Sequence, residues 1–211
     1  MQIANTGAIQ LPIDIDTVKG FLDPVEGEEL FRQASDVAHL GPCLEIGSYC
    51  GKSTVYLGAA CQGRNNILYA VDHHRGSEEH QFGEEYHDPD LFDADAGLVD
   101  SFKEFRKTVR RAGLEEAVVP IVASSAVASR HWATPLGLVF IDGGHSMKAA
   151  MCDYRSWVGH IVPGGILAIH DIFPDPADGG QAPYGIWKLA KKSGLFEVLP
   201  MVNTLGLLRR L

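Results

Sequence analysis

The sequence predicts an α/β protein: a doubly wound, mostly parallel seven-stranded sheet that ends in a C-terminal antiparallel hairpin. Three observations lead there. Short β-rich runs alternate with helical patterns along most of the chain, which selects parallel strands joined by helical crossovers. The last two apolar runs are separated by only a short turn, which suits an antiparallel pair at a sheet edge. A length of 211 residues with 45% hydrophobic content fits one sizeable domain, 1–211, with a full core.

Residues 1–40 read as an N-terminal helical cap. The strand-like runs are "CLEI" (43–46), "NILYAVD" (66–72), "AVVPIV" (117–122), "LGLVFID" (136–142) and "GGILAIHD" (164–171). Between the last two, Met147, Ala150, Met151, Tyr154, Trp157, Val158 and Ile161 recur at three- and four-residue steps, which predicts one apolar helix face packed on the sheet. A final helix near 184–193 precedes "LFEVLPMV" and "TLGLLRRL", the two runs of the hairpin. Residues 73–100 break the pattern. They carry nine acids, four histidines and one arginine where a short strand-to-helix loop would suffice, so they read as an acidic, lid-like insert that closes over bound ligands. A solvated loop serving only solubility or a homodimer contact is the alternative.

Composition excludes several classes. With 18 Lys+Arg against 27 Asp+Glu the formal charge is −9, which argues against nucleic acid as the main partner. No apolar stretch approaches the ~20 residues of a membrane span, and no basic region followed by an apolar one opens the chain, so a soluble, cytoplasmic protein is expected. Cys43, Cys50, Cys61 and Cys152 form no C-x-x-C pair and sit in apolar segments, which predicts thiols rather than disulfides or a zinc site.

The first strand runs into "EIGSYCGKST" (45–54), where Gly47 and Gly51 allow a tight turn and a close approach of backbone to a ligand at a helix N-terminus. Neither the G-x-x-x-x-G-K-[ST] nor the G-x-G-x-x-G spacing is present, which removes the usual phosphate loops. What remains is E-x-G-x-x-x-G, then a strand ending in Asp72, an acid placed to accept two hydrogen bonds from a ribose diol.

These features, continued by "VASSA" (122–126), resemble the S-adenosylmethionine loop of class I, Rossmann-like methyltransferases, and within them the metal-dependent catechol O-methyltransferase group, over residues 40–172. The resemblance implies that Glu45, Gly47, Ser48 and Tyr49 line the methionine side of the cofactor and that Gly51 and Ser53 belong to the same loop. It further implies that Asp72 holds the ribose, that Ser124 and Ser125 contact the adenine, and that Asp142 touches the cofactor as well. Serines at that turn could equally be ordinary helix caps.

"VFIDGGHS" (139–146) ends a buried run on Asp142, and the neighbouring run ends on Asp171. Adjacent parallel strands lie ~4.8 Å apart, so the two acids converge at one sheet edge. Two hard carboxylates there make a partial shell for Mg²⁺ or a similar divalent cation, which lowers the proton affinity of a bound hydroxyl. His145, three residues beyond Asp142, matches the catalytic lysine of the catechol enzymes and the histidine of related sugar O-methyltransferases, and imidazole titrates near working pH. It is the candidate general base. His170 directly precedes Asp171. Strand alternation aims it away from that acid, so it is either a third metal ligand or a supporting core histidine. His73, His74, Glu78 and Glu79 are other candidates for a third ligand. Ile172 stands where the catechol pattern has an amide.

Residues 142–171 are similar to the smaller sugar O-methyltransferases, including those acting on macrolide sugars and on actinobacterial methylmannose polysaccharides. The resemblance implies a hydroxylated small-molecule substrate, a sugar foremost. A catechol-type O-methyltransferase and a non-catalytic S-adenosylmethionine-binding protein are the alternatives.

Overall fold

A computed structural model describes residues 9–77 and 88–211. Five apolar runs become parallel strands: β1 (Cys43–Ile46), β2 (Leu68–Val71), β5 (Val118–Ile121), β6 (Leu136–Ile141) and β7 (Ile161–Ile169). β8 (Phe196–Val198) and β9 (Gly206–Arg210) form the expected C-terminal antiparallel pair, and β9 also pairs antiparallel with β7. The sheet order is β5-β2-β1-β6-β7-β9-β8. A separate antiparallel pair, β3 (Phe92–Asp93) with β4 (Leu98–Val99), lies in the acidic insert.

Both faces of the central strands are covered, which is why they read as continuous apolar runs rather than alternating ones. Cys43, Leu68, Leu138, Ile166 and Leu207 face one way, toward α1 (Pro24–Val37), α2 (Lys52–Gly63) and α3 (Phe102–Arg111). Leu44, Val71, Val139, Leu167 and Leu208 face the other way, toward α5 (Met147–Trp157) and α6 (Ala182–Lys192). A short α4 (Ser125–Ala128) follows β5. The predicted apolar face of α5 is present in Ala150, Tyr154 and Trp157. Two of its members differ. Met147 is 50% exposed at the first turn, and Ile161 lies beyond the helix as the first residue of β7.

The helix starts follow local chemistry. Asp23 caps α1 by accepting from the Val25 N–H, with Pro24 at the first helical position; Ser146 caps α5 by accepting from the Ala149 N–H. Gly51 opens α2 at φ 94°, a left-handed conformation costly for any residue with a Cβ.

Of the insert, residues 78–87, with Glu78 and Glu79, lie outside the described residues. The remainder is docked. Leu91 and Val99 are buried against Cys50, Lys19 bonds Asp88 and Asp90, and Arg75 faces Asp100 at 3.5 Å. All four cysteines are free thiols, as expected. No described helix is long and apolar enough to cross a membrane.

Candidate active site

The strand order reverses between β1 and β6, and in an open α/β sheet that leaves a crevice outside the carboxyl ends of the strands. A cavity of about 450 Å³ occupies this place. Its wall contains Gly47, Ser48, Tyr49 and Ser53 after β1, Asp72 after β2, and Ser124 and Ser125 after β5. Asp142 and His145 after β6, with His170 and Asp171 after β7, complete it.

The turn after β1 is set by backbone. A Cβ on Gly47, at φ 86°, would overlap the Asp142 carbonyl, so only glycine lets β1 and β6 end so close together. Tyr49 takes φ 44° and donates its N–H to Asp72 Oδ2 at 2.8 Å. Asp72 Oδ1 accepts from the His74 N–H at 2.7 Å. These bonds hold the Asp72 carboxylate at the cavity wall, and each oxygen keeps a further acceptor site. The Ser48 hydroxyl is buried there with no hydrogen-bond partner among the described residues.

Two expectations are corrected. Glu45 does not line the cavity: it is the third residue of β1, fully buried, and accepts from the Ser53 and Thr54 hydroxyls of α2. Burial, only partly opposed by those hydroxyls, pushes its carboxyl up to about 7. Gly51 is also absent from the wall, because it packs beneath the turn, where a Cβ would press on Thr108 and Phe105. Ser53 reaches the wall, but its hydroxyl is committed to Glu45.

At the other end of the cavity Asp142, His170 and Asp171 each bring one potential ligand atom within 4.8 Å of the others. His170 Nδ1 lies 3.1 Å from Asp142 Oδ1 and 3.5 Å from Asp171 Oδ2. Strand alternation predicted the opposite for Asp171. It fails because Asp171 has φ 56°, so the extended path ends at His170 and the next side chain turns back to the same side. His145 Nε2 lies 3.1 Å from Asp171 Oδ2. Burial would raise the Asp171 carboxyl, but the His145 and His170 imidazoles outweigh it and hold it well below the usual range. His74, weighed as a ligand, is buried against Phe102 and Phe105 with Nδ1 on the Ser101 hydroxyl, so it is a core residue; burial lowers its pKa. His73 remains exposed at the wall.

Two acids escaped the sequence reading. Glu26 on α1 is 2% exposed; its Oε2 lies 2.8 Å from His170 Nε2, and its Oε1 accepts from the Thr204 N–H and hydroxyl at 2.7 and 2.8 Å. Burial tends to raise the Glu26 carboxyl, yet His170 and then Thr204 lower it; burial tends to lower the His170 imidazole, yet Asp142 foremost, then Asp171 and Glu26, raise it. With both ring nitrogens facing carboxylates, His170 is a double donor rather than an open ligand. The donor set therefore fits a hard divalent cation held by Asp142 and Asp171, with His170 beside them. The second missed acid is Asp153 on α5, in the cavity wall and 8% exposed; burial pushes it up to about 6. The available signal was an acid within an apolar helical stripe: Glu26 four residues before Leu30 and eight before Ala34, Asp153 three after Ala150.

A family model described as a methyltransferase domain matches residues 44–172. Solved structures share the fold at low identity. The O-methyltransferase NovP is 16% identical with a TM-score of 0.66, over 88% of this chain and 79% of that one. The SAH-bound methyltransferase PaMTH1 of Podospora anserina is 13% identical with a TM-score of 0.63, over 90% and 80%. An O-methyltransferase of Bacillus cereus in complex with SAH is 15% identical with a TM-score of 0.58, over 90% and 83%.

Proposed function

The chain belongs to the methyltransferase-domain family and is an S-adenosylmethionine-dependent enzyme, and we propose that it methylates a hydroxyl oxygen of a small molecule, a sugar foremost, with His145 as general base. The observation that carries this reading is the convergence of His145, Asp171 and Asp142 at one end of the same cavity that holds Ser48, Tyr49 and Asp72.

In this reading Asp72 accepts the ribose hydroxyls, and the turn from Gly47 to Tyr49 cradles the methionine part. His145 Nε2 lies against Asp171, which orients the ring, and the imidazole takes the hydroxyl proton. The oxygen forms the new C–O bond as the S–CH₃ bond breaks, and S-adenosylhomocysteine (SAH) leaves with the sulfonium charge neutralised. Asp142 and Asp171 would hold Mg²⁺, which when bound lowers the proton affinity of the substrate hydroxyl. The metal binding of Asp142 and Asp171, like the base role of His145, is part of this proposal.

A polar cluster of acids and histidines matches the many hydroxyls of a sugar, with a methylated mannoside of polysaccharide assembly as the specific candidate. One observation favours a catechol-type acceptor instead: Phe21 in the cavity wall is 68% exposed and stacks near Tyr49 at 6.3 Å. Turnover measured on a panel of sugar and catechol acceptors, with Mg²⁺ and with EDTA, separates the two. Methylation of sugars alone, lost in EDTA, is the expected result. A chain that binds SAH and methylates nothing would be a cofactor-binding protein only.

A further inference from the structure

Asp171 is the strained point of the proposed catalytic edge. A residue with a Cβ at φ 56° keeps that conformation only where the surrounding structure holds it. Its two chain neighbours show what does so. On one side the His170 N–H donates to the Ile141 carbonyl at 3.1 Å, which fixes the backbone, while the ring is fixed by Glu26 Oε2, 2.8 Å from Nε2. On the other side the Ile172 N–H donates to the Thr204 carbonyl at 2.9 Å. Thr204 in turn gives its own N–H and hydroxyl to Glu26 Oε1. Both flanks of Asp171 therefore lead back to one carboxylate, which stands outside the cavity wall on the first turn of α1.

Glu26 is the third residue of α1, a position from which a glutamate commonly folds back onto the helix cap. Here both its oxygens go into the protein instead, to His170 and Thr204. A tie between α1 and the sheet could be made by apolar packing with less desolvation. What the carboxylate adds is direction, because its two oxygens set the ring of His170 and the backbone of Thr204 at once. The consequence reaches the base, since Asp171 Oδ2 lies 3.1 Å from His145 Nε2. A misplacement of about 1 Å in a reacting group costs on the order of a hundredfold in rate. On the reading of His145 as general base, on which this inference rests, we propose that Glu26 is a positioning residue for methyl transfer. Through His170 and Thr204 it sets the Asp171 carboxylate that aims His145.

Glu26→Gln keeps the length of the side chain, but a carboxamide offers one oxygen where Glu26 uses two, so either His170 or Thr204 then faces an N–H₂ group. In the full chain, kcat on the best acceptor of the panel should fall at least about tenfold, while SAH affinity by calorimetry stays within about twofold. Ile161→Ala, in the core at the far end of β7, is the control for lost stability, and its kcat should stay within about twofold of wild type. A spectroscopic readout separates positioning from a merely structural tie. At one fixed pH the ring NMR signals of His145, assigned by their loss in His145→Ala, should shift in Glu26→Gln and not in Ile161→Ala, although His170 and Asp171 stand between the two side chains. Where Glu26→Gln does not fold, Glu26→Asp, one methylene shorter, carries both readouts. A variant with wild-type kcat, or with unmoved His145 signals, overturns the inference and leaves the functional reading intact. Equal falls in kcat and SAH affinity overturn it too, as a general loosening of the cavity. A wild type that methylates no acceptor sinks the reading of His145 and this one with it.

Discussion

Glu45 sits in β1, between β2 and β6, beyond the reach of water, with its carboxyl raised from 4.5 to about 7. Between those values the folded state keeps a proton that the unfolded chain has lost. Stability from this group is therefore fully present below about pH 4.5 and is lost as pH rises through about 7, a change of roughly 3 kcal/mol. Asp171 and Glu26, both lowered, contribute in the opposite direction, gaining as pH rises through the ordinary carboxylate range. Urea unfolding of wild type and Glu45→Gln at pH 5 and pH 7 isolates the residue. The variant should lose less stability between the two pH values, and parallel behaviour would show that Glu45 is ionised in the fold. Because its oxygens bond Ser53 and Thr54 inside the protein, the same substitution should leave SAH affinity within about twofold. His145 predicts a different phenotype. His145→Ala should bind SAH normally and lower kcat by ~10²–10⁴, as for loss of a general base; near-normal kcat would remove it from the proposed mechanism.

At the scale of elements, one buried carboxylate ties α1, packed on the sheet through Leu30, Ala34 and Val37, to the strand ends of the proposed catalytic edge. Glu26 reaches His170 at the end of β7 and Thr204 just before β9, so a single side chain ties the N-terminal helix and the C-terminal hairpin to the strand ends between them. Glu26→Ala leaves the Nε2–H of the His170 imidazolium and the Thr204 N–H without their acceptor. Removing one member of a buried pair costs ~3–5 kcal/mol, so a fall of that order in urea unfolding is expected, against about 1 kcal/mol for Thr204→Val. A loss under 1 kcal/mol for Glu26→Ala would mean that water replaces the carboxylate. This tie was not legible in the sequence for a physical reason. Periodicity reports which residues share a face, and it found the strands and the α5 stripe. It is silent on which polar residue within such a face meets a partner 144 positions away. The convergence of Asp142 and Asp171 was legible, because adjacency of parallel strand ends is a property of topology. Their relation to His170 was not, since it depends on the left-handed backbone of Asp171. Glu45 was misplaced for a related reason: the loop motif marks which strand end binds, and side-chain direction within β1 decides which members reach the surface.

At the scale of the whole molecule, the proposed site divides across the switch between β1 and β6. Ser48, Tyr49, Asp72 and Ser124 lie on the β1-β2-β5 half, while Asp142, His145 and Asp171 lie on the β6-β7 half. If the first half holds the cofactor and the second does the chemistry, the two functions should separate. SAH is expected to bind with the same affinity in EDTA as in Mg²⁺, within about twofold, because no residue of the first half belongs to the acid pair. Asp72→Ala should weaken SAH by ~1.5–3 kcal/mol with or without metal, the cost of a lost charge-assisted contact. Asp142→Ala and Asp171→Ala should instead raise the Mg²⁺ concentration needed for turnover, with the larger effect on rate in Asp171→Ala because that carboxylate also orients His145. Calorimetry for binding and initial rates across a Mg²⁺ series measure the two functions on the same protein. SAH affinity that collapses in EDTA would place the cation on the cofactor rather than on the acceptor hydroxyl. Turnover unchanged in EDTA would leave His145 and Asp171 to activate the hydroxyl unaided, with the buried Glu26–His170 pair as the fixed charge behind them.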